Sequence, residues 1–204
     1  MKRCAIISGG DRSSLSGIEE CSYVIACDKG YVYCKQANIL PDLILGDFDS
    51  FTSQLPKEIK IIRLPVEKDD TDTHHAFRMA IEKGFDEIYL YCALGGRIDH
   101  TLANLNSAIF AADNNIDTKI IADKETIIVS SHNIIRIKRK ENCALSLFAA
   151  DVCHGVSISG SLYDVEKIEL NNRFPIGQSN GFVSDEVLIS KEDGILIIVI
   201  SSLG

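Results

Sequence analysis

Three short stretches combine carboxylates with small or turn-forming residues: Gly46-Asp47-Phe48-Asp49-Ser50, Lys68-Asp69-Asp70-Thr71-Asp72 and Gly95-Gly96-Arg97-Ile98-Asp99-His100. Asp47 and Asp49 lie two residues apart, and in an extended segment such side chains point the same way, so both can face one cation. A hard Mg2+ ion takes oxygen ligands of this kind; a solvated acidic turn would use the same letters. Asp69 and Asp72 are three apart and can share a face where a helix begins. Beside them Lys68 can meet a phosphate oxygen as a point charge, although a capped helix end with a solvated charge cluster is the plainer reading. The paired glycines 95 and 96 let a backbone approach a phosphate closely. Arg97 offers a planar fork for phosphate oxygens, and Asp99 can bind metal or accept a proton. Arg97 and Asp99 can equally pair with each other, and His100 can serve the helix start. The three loops together predict one site for Mg2+ and a polyphosphate.

Such loops act together only if the chain carries them to a common edge, and loops at strand ends are where α/β proteins keep their chemistry. Each of the three follows or closes an apolar run. The runs predict strands over 3–7, 23–27, 43–45, 59–64, 87–92 and 119–122. Between them fall a helix over 31–37 and a second starting near Thr71. Thr71 or Asp70 can cap the second helix, Asp72 in its first turn suits the dipole, and Gly84 stops it. Its expected inner stripe is Ala76, Met79 and Ala80. A third helix follows Gly96, with Leu102, Leu105, Ile109 and Ala112 recurring at helical steps and Asn114-Asn115 at its end. After Glu125 the alternation stops. Seven β-like runs follow, separated by turn signals such as His132-Asn133, His154-Gly155 and Glu192-Asp193-Gly194. The pattern predicts a Rossmann-like α/β unit with a mostly parallel sheet over residues 1–123, then an antiparallel β-sandwich over 124–204.

The 204-residue length suits two modest domains. A formal net charge of −8 argues against nucleic-acid or anionic-membrane partners, which want a basic face. Mg2+ can still reconcile the carboxylates with a nucleotide. The apolar run behind Lys2 and Arg3 ends at Ser8-Gly9-Gly10, too short for a leader, and no run reaches membrane-span length. Seven cysteines without a Cys-x-x-Cys pair read as reduced thiols. The expectation is a cytoplasmic protein.

The three motifs, in this order and spacing, resemble those of thiamine pyrophosphokinases. Ser8-Gly9-Gly10 and Ala26-Cys27-Asp28-Lys29-Gly30 are similar to that family's first two strand-end loops. Thr101-Leu102-Ala103-Asn104-Leu105 continues the third motif, and Gly160-Ser161-Leu162-Tyr163 with Ser179-Asn180 is similar to its thiamine-side signature. The resemblance implies transfer of a pyrophosphoryl group from ATP to thiamine with release of AMP, Mg2+ as the metal, and a homodimer. It implies ATP over the acidic loops, and thiamine where one subunit's β-domain meets the other's catalytic domain. Asp47, Asp49, Asp72 and Asp99 would be the metal-side carboxylates, with Asp72 or Asp99 taking the hydroxyl proton. Lys68 and Arg97 would steady the phosphates. Asp28, Ser50, Asp69, Thr71 and His100 would join them around the nucleotide, and Ser179 and Asn180 would hold the thiamine pyrimidine.

Three departures stand out. Lys29 occupies a place where glycine is common, Gly181 follows Asn180 where an acidic residue is common, and the chain has no tryptophan. Tyr163 or Phe182 would have to offer the ring that stacks on a thiazolium. Asp47-Phe48-Asp49 also contains the Asp-x-Asp core of haloacid-dehalogenase phosphatases, but Phe51 stands where that family wants Thr or Val.

Overall fold

The inner strands of the first unit are short apolar runs that have no solvent face. In the computed structural model, which describes residues 1–48, 56, 58–65 and 69–204, Cys4 through Ile7 are fully buried. Asp49, Ser50 and Lys68 lie outside the described residues. β1 (Arg3–Ile7), β2 (Tyr23–Cys27), β3 (Leu43–Gly46) and β5 (Glu87–Tyr91) are buried almost throughout, while β4 (Lys60–Arg63) is half-exposed. Near-continuous apolar runs of this kind are what a parallel sheet covered on both faces demands. With β6 (Asp117–Ile121), these strands lie in the order β4-β3-β2-β1-β5-β6, every pair parallel. The chain steps outward from β1 through β4, then returns to the other side of β1 for β5 and β6. That reversal beside β1 lets the loops after β1 and β5 diverge, which opens a crevice at the carboxyl edge.

The crossovers are α1 (Gly30–Gln36), α2 (Asp72–Glu82) and α3 (Ile98–Asp113), with a 3-10 turn at Ile18–Glu20 between β1 and β2. Thr71 caps α2, its hydroxyl accepting the His74 N–H at 3.1 Å. Gly84, at φ 69°, follows the last turn. The stripes differ from the sequence expectation. Phe77 is fully buried on α2 and Met79 only half so. On α3 the buried residues are Asn104, Ser107, Ala108, Ala111 and Ala112, while Leu102 is 55% exposed. The small residues let α3 approach its neighbours closely, and Ser107 Oγ reaches His74 Nδ1 on α2 at 3.0 Å. Periodicity finds an apolar face but is blind to a face chosen for small volume.

The chain divides into compact units Met1–Asp123 and Lys124–Gly204. The second is antiparallel throughout. One layer runs β7 (Glu125–Ser130), β13 (Leu196–Ser202), β9 (Cys143–Ala149). The other runs β11 (Val165–Asn171), β10 (Val152–Ser159), β12 (Glu186–Ser190), β8 (Ile134–Lys138). Alternate residues such as Leu145, Leu147, Ile198, Ile200, Val187 and Ile189 fill the core between the layers.

Glu87 opens β5 at the sheet's amino edge, opposite the crevice. It is 5% exposed and shared between Arg3 and Lys119, whose Nζ lies 2.8 Å from Oε1. Removing its charge leaves two cations facing each other in a half-buried setting. Glu87→Gln should lower the thermal midpoint by roughly 5 °C with the kcat at 25 °C unchanged. Calorimetry and assay of the same preparation check both halves.

Candidate active site

Parallel pairing puts the ends of β1, β2, β3 and β5 on one edge, and the loops that leave them are stitched together. Ser8 N–H donates to Tyr91 O at 2.9 Å, Gly10 N–H to Cys92 O at 2.8 Å, and Asp28 N–H to Leu45 O at 2.9 Å. Tyr33 Oη donates to Gly10 O at 2.8 Å, and buried Ser8 Oγ meets Thr73 Oγ1 on α2 at 2.8 Å. Asn104, also buried, donates from Nδ2 to Ala93 O at 2.8 Å and so holds the start of the Gly95 loop. Three non-glycine residues at these ends take positive φ: Asp28 (44°), Phe48 (59°) and Cys92 (52°). Backbone strain of this kind persists where surrounding contacts over-determine it, and it concentrates at functional sites.

The edge encloses a cleft of roughly 400 Å3. Asp28, Asp47, Thr71, Asp72 and His100 line it, together with the Ser8-Gly9-Gly10 loop and Gly95. Asp28 packs directly against Gly46. A Cβ on Gly46 would collide with Asp28 Oδ1, so only glycine fits there. Burial, then the hydrogen bond and charge of Asp72 and the charge of Asp47, hold the Asp28 carboxyl well above the usual carboxylate range; the Phe48 N–H opposes them. Asp28 Oδ1 is buried without a hydrogen-bond partner. A buried carboxylate oxygen with no donor, beside two further carboxylates, suits a hard cation. Among the described residues no group of three or more His, Cys, Asp or Glu is set to hold a metal ion by itself. Mg2+ usually takes one or two carboxylates and completes its shell with water and substrate phosphate.

The other expected site residues fall elsewhere. Arg97 and Asp99 pair with each other, Nε to Oδ1 at 3.1 Å and Nη2 to Oδ2 at 2.5 Å, at the exposed start of α3. The guanidinium holds the Asp99 carboxyl below its ordinary range. Of the two options open to this pair in the sequence, the mutual salt bridge is the one formed. His100 donates its N–H to Asp99 Oδ1 at 2.9 Å. Asp69 opens on a neighbouring groove with His74 and Asn106.

In the second unit, Ser179 takes φ 59°, and its N–H donates to Ser146 Oγ at 3.0 Å. Asn180 is occupied within its own loops: Oδ1 accepts from Tyr163 N–H at 2.9 Å, and Nδ2 donates to Tyr163 O at 2.9 Å and Ser161 Oγ at 3.1 Å. Asn180 and Tyr163 border a mostly apolar cleft of roughly 150 Å3 lined also by Leu147, Val156, Ile168 and Ile176. Tyr163 is 66% exposed, whereas Phe182 packs against the core. Of the two candidate rings, Tyr163 is the accessible one. Ser8 and Asn104 stand in stretches already marked in the sequence, but not as individual site residues; Thr73 joins through a tertiary contact that no local pattern records.

A parallel sheet whose carboxyl edge holds carboxylates under glycine-rich loops defines an enzyme that works on nucleotide phosphates. Residues 16–120 match the family model described as thiamin pyrophosphokinase, catalytic domain. The chain is 28% identical to the thiamine pyrophosphokinase of Bacillus subtilis, over 99% of this chain and 100% of that protein. The crystal structure of thiamine pyrophosphokinase from Bacillus subtilis superposes with a TM-score of 0.89 at 26% identity, covering 98% of this chain and 99% of that one. That of thiamin pyrophosphokinase from Geobacillus thermodenitrificans gives 0.81 at 24% identity, covering 98% and 97%. The chain belongs to the thiamin pyrophosphokinase family.

Crowding at Asp28 has a thermodynamic consequence. Its raised folded pKa gives stability that is fully present below the unfolded value, about 4, and lost as pH rises through the folded value. Asp28→Asn removes that loss. Without metal or nucleotide, the variant should melt a few degrees above wild type at pH 8 and close to it near pH 4, even if its activity falls. Equal melting points at pH 8 would mean the crowding carries no cost.

Proposed function

We propose that the acidic cleft holds the phosphates of ATP for attack by the thiamine hydroxyl. The chain is a transferase that moves the pyrophosphoryl group of ATP to thiamine, giving thiamine diphosphate and AMP, as its family membership supports. The observation that carries the arrangement is the meeting of Asp28, Asp47 and Asp72 beside the Ser8-Gly9-Gly10 loop.

The hydroxyl attacks the β-phosphorus in line, and AMP leaves. Such a displacement needs positioning and charge neutralisation more than covalent help. In this reading Asp47, Asp49 and Asp72 would hold Mg2+, with Asp28 beside them. The metal supplies neutralisation of phosphate charge. Lys68 and Arg97 steady the phosphates, Arg97 exchanging Asp99 for a phosphate oxygen and freeing Asp99 toward the cation. Asp72, which lines the cleft, receives the hydroxyl proton. Ser50, Asp69, Thr71 and His100 complete the nucleotide's surroundings. On the acceptor side, Ser179 meets the pyrimidine, and Asn180 fixes the loop that presents the Tyr163 ring to the cationic thiazolium. Exposed Leu162, Tyr163, Phe174, Ile176 and Val183 support a homodimer through the β-unit. Seven free cysteines suit the reducing cytoplasm.

The reaction is tested by nucleotide chromatography. AMP should appear from ATP only when thiamine and Mg2+ are both present. ADP as the product, or no turnover despite thiamine binding, would overturn the reading. Asp72→Asn should cut kcat by about 100-fold or more with its melting point preserved; near-normal kinetics would make Asp72 structural. Tyr163→Ala should raise the thiamine KM roughly tenfold and leave the ATP KM within about twofold; the reverse pattern would remove Tyr163 from the acceptor site.

A further inference from the structure

Lys29 is the only lysine or arginine among the described residues that line the acidic cleft. Arg97 is not among the lining residues, and its fork is taken up by Asp99. Yet a triphosphate brings several negative charges to a wall that already carries Asp28, Asp47 and Asp72. A cation facing the cleft offsets that charge, and among the described lining residues Lys29 supplies it.

Several contacts fix where Lys29 stands. It directly precedes α1, and its neighbour Gly30 is locked in place because a Cβ there would collide with Ile7 O. Its side chain starts beside the tight turn after β1: a Cβ on Gly9 would touch Lys29 Cβ at 3.5 Å. Its ammonium rests 5.4 Å from the centre of the Tyr33 ring. Tyr33 in turn is tied through its hydroxyl to Gly10 O. The stem is therefore held along the Gly9-Gly10 loop, and the exposed head is held by the Tyr33 side chain, with Asp11 also drawing on its charge. A cation on a ring is held only weakly at such an exposed site, and a charge-assisted bond to a phosphate oxygen is stronger. The ammonium can leave the ring for an anion.

We propose that Lys29 is a phosphate-binding residue of this enzyme, a lysine that swings from Tyr33 onto the polyphosphate of ATP where the Gly9-Gly10 loop approaches it. It does work at the nucleotide that glycine at this position does not do, and Tyr33 parks it between turnovers. This rests on the reading of the cleft as the ATP site.

Three variants test it: Lys29→Gln, Lys29→Arg and, for the parking contact, Tyr33→Leu. Binding of a non-hydrolysable ATP analogue and of AMP is measured by calorimetry with Mg2+ present, alongside steady-state kinetics. Lys29→Gln should weaken the analogue about 10- to 100-fold, raise the ATP KM to match, and leave the thiamine KM within about twofold. AMP affinity should fall much less, because the lost contact is to the outer phosphates. Lys29→Arg should recover most of the analogue affinity. Tyr33→Leu should keep analogue binding but show altered salt dependence. Unchanged analogue affinity in Lys29→Gln, with wild-type melting, overturns the proposal, and so does an equal loss for AMP and the analogue. Should Lys29→Gln fail to fold, a Lys29→Arg enzyme with wild-type melting and a weakened analogue would equally overturn a point-charge role. If wild type binds the analogue but never yields thiamine-dependent AMP, the reaction reading fails while the Lys29 comparison still stands.

Discussion

The Asp28 carboxyl is packed against Gly46, hydrogen-bonded to Asp72 and inside the field of Asp47. For the empty protein the contact is costly on balance: burial and neighbouring carboxylates disfavour the Asp28 charge, and one oxygen is left without a donor, with the Phe48 N–H only partly opposing them. The contact exists because β2 and β3 are parallel neighbours, Cys27 beside Leu45, so that their next residues must meet at one edge. The surroundings hold it there: Asp28 N–H to Leu45 O, Ser8 to Thr73, and the fully buried strands behind. Stability gained in the sheet is set against strain and repulsion at the edge, which is how preorganised sites are generally maintained. A cation and a polyphosphate are the partners proposed above to turn the repulsion into binding.

Much of this is legible in the residues. Strands buried on both faces leave continuous apolar runs, and glycine, aspartate and proline mark where the runs end. Asp47 and Asp72 stand out because carboxylates beside turn residues recur in three strand-end loops, although each motif taken alone reads as well as a solvated turn or a helix cap. Asp28 is visible only as part of a loop that matches a family pattern; its place against Gly46 comes from the pairing of β2 with β3, which no local spacing encodes. The α3 stripe misleads because its inward face is small rather than apolar, with Asn104 and Ser107 among the buried residues. The Arg97–Asp99 pair is readable as one of two options, and their separation of two residues cannot choose between a partner in the chain and a partner in solution.

The β-unit illustrates the opposite limit. Its core alternates cleanly, so its sheets follow from period-two patterning. Its ligand-facing side does not. Tyr163 and Phe182 look equivalent in the sequence, and only the packing of Phe182 against the core separates them. Asn180 looks like a ligand contact, yet its amide is consumed in fixing Tyr163 and Ser161. A polar side chain in a binding loop often serves by holding its neighbour, and the hydrogen-bond inventory is what distinguishes the two roles.

The carboxylate crowd is proposed to serve a divalent cation shared with ATP. Anomalous diffraction from crystals grown with Mn2+ and a non-hydrolysable ATP analogue addresses it directly. A metal peak is expected in the cleft, bound directly by oxygens of Asp47 and Asp72, with a phosphate oxygen completing the shell. Nucleotide bound with no metal peak at these carboxylates, or a peak outside the cleft, would contradict it.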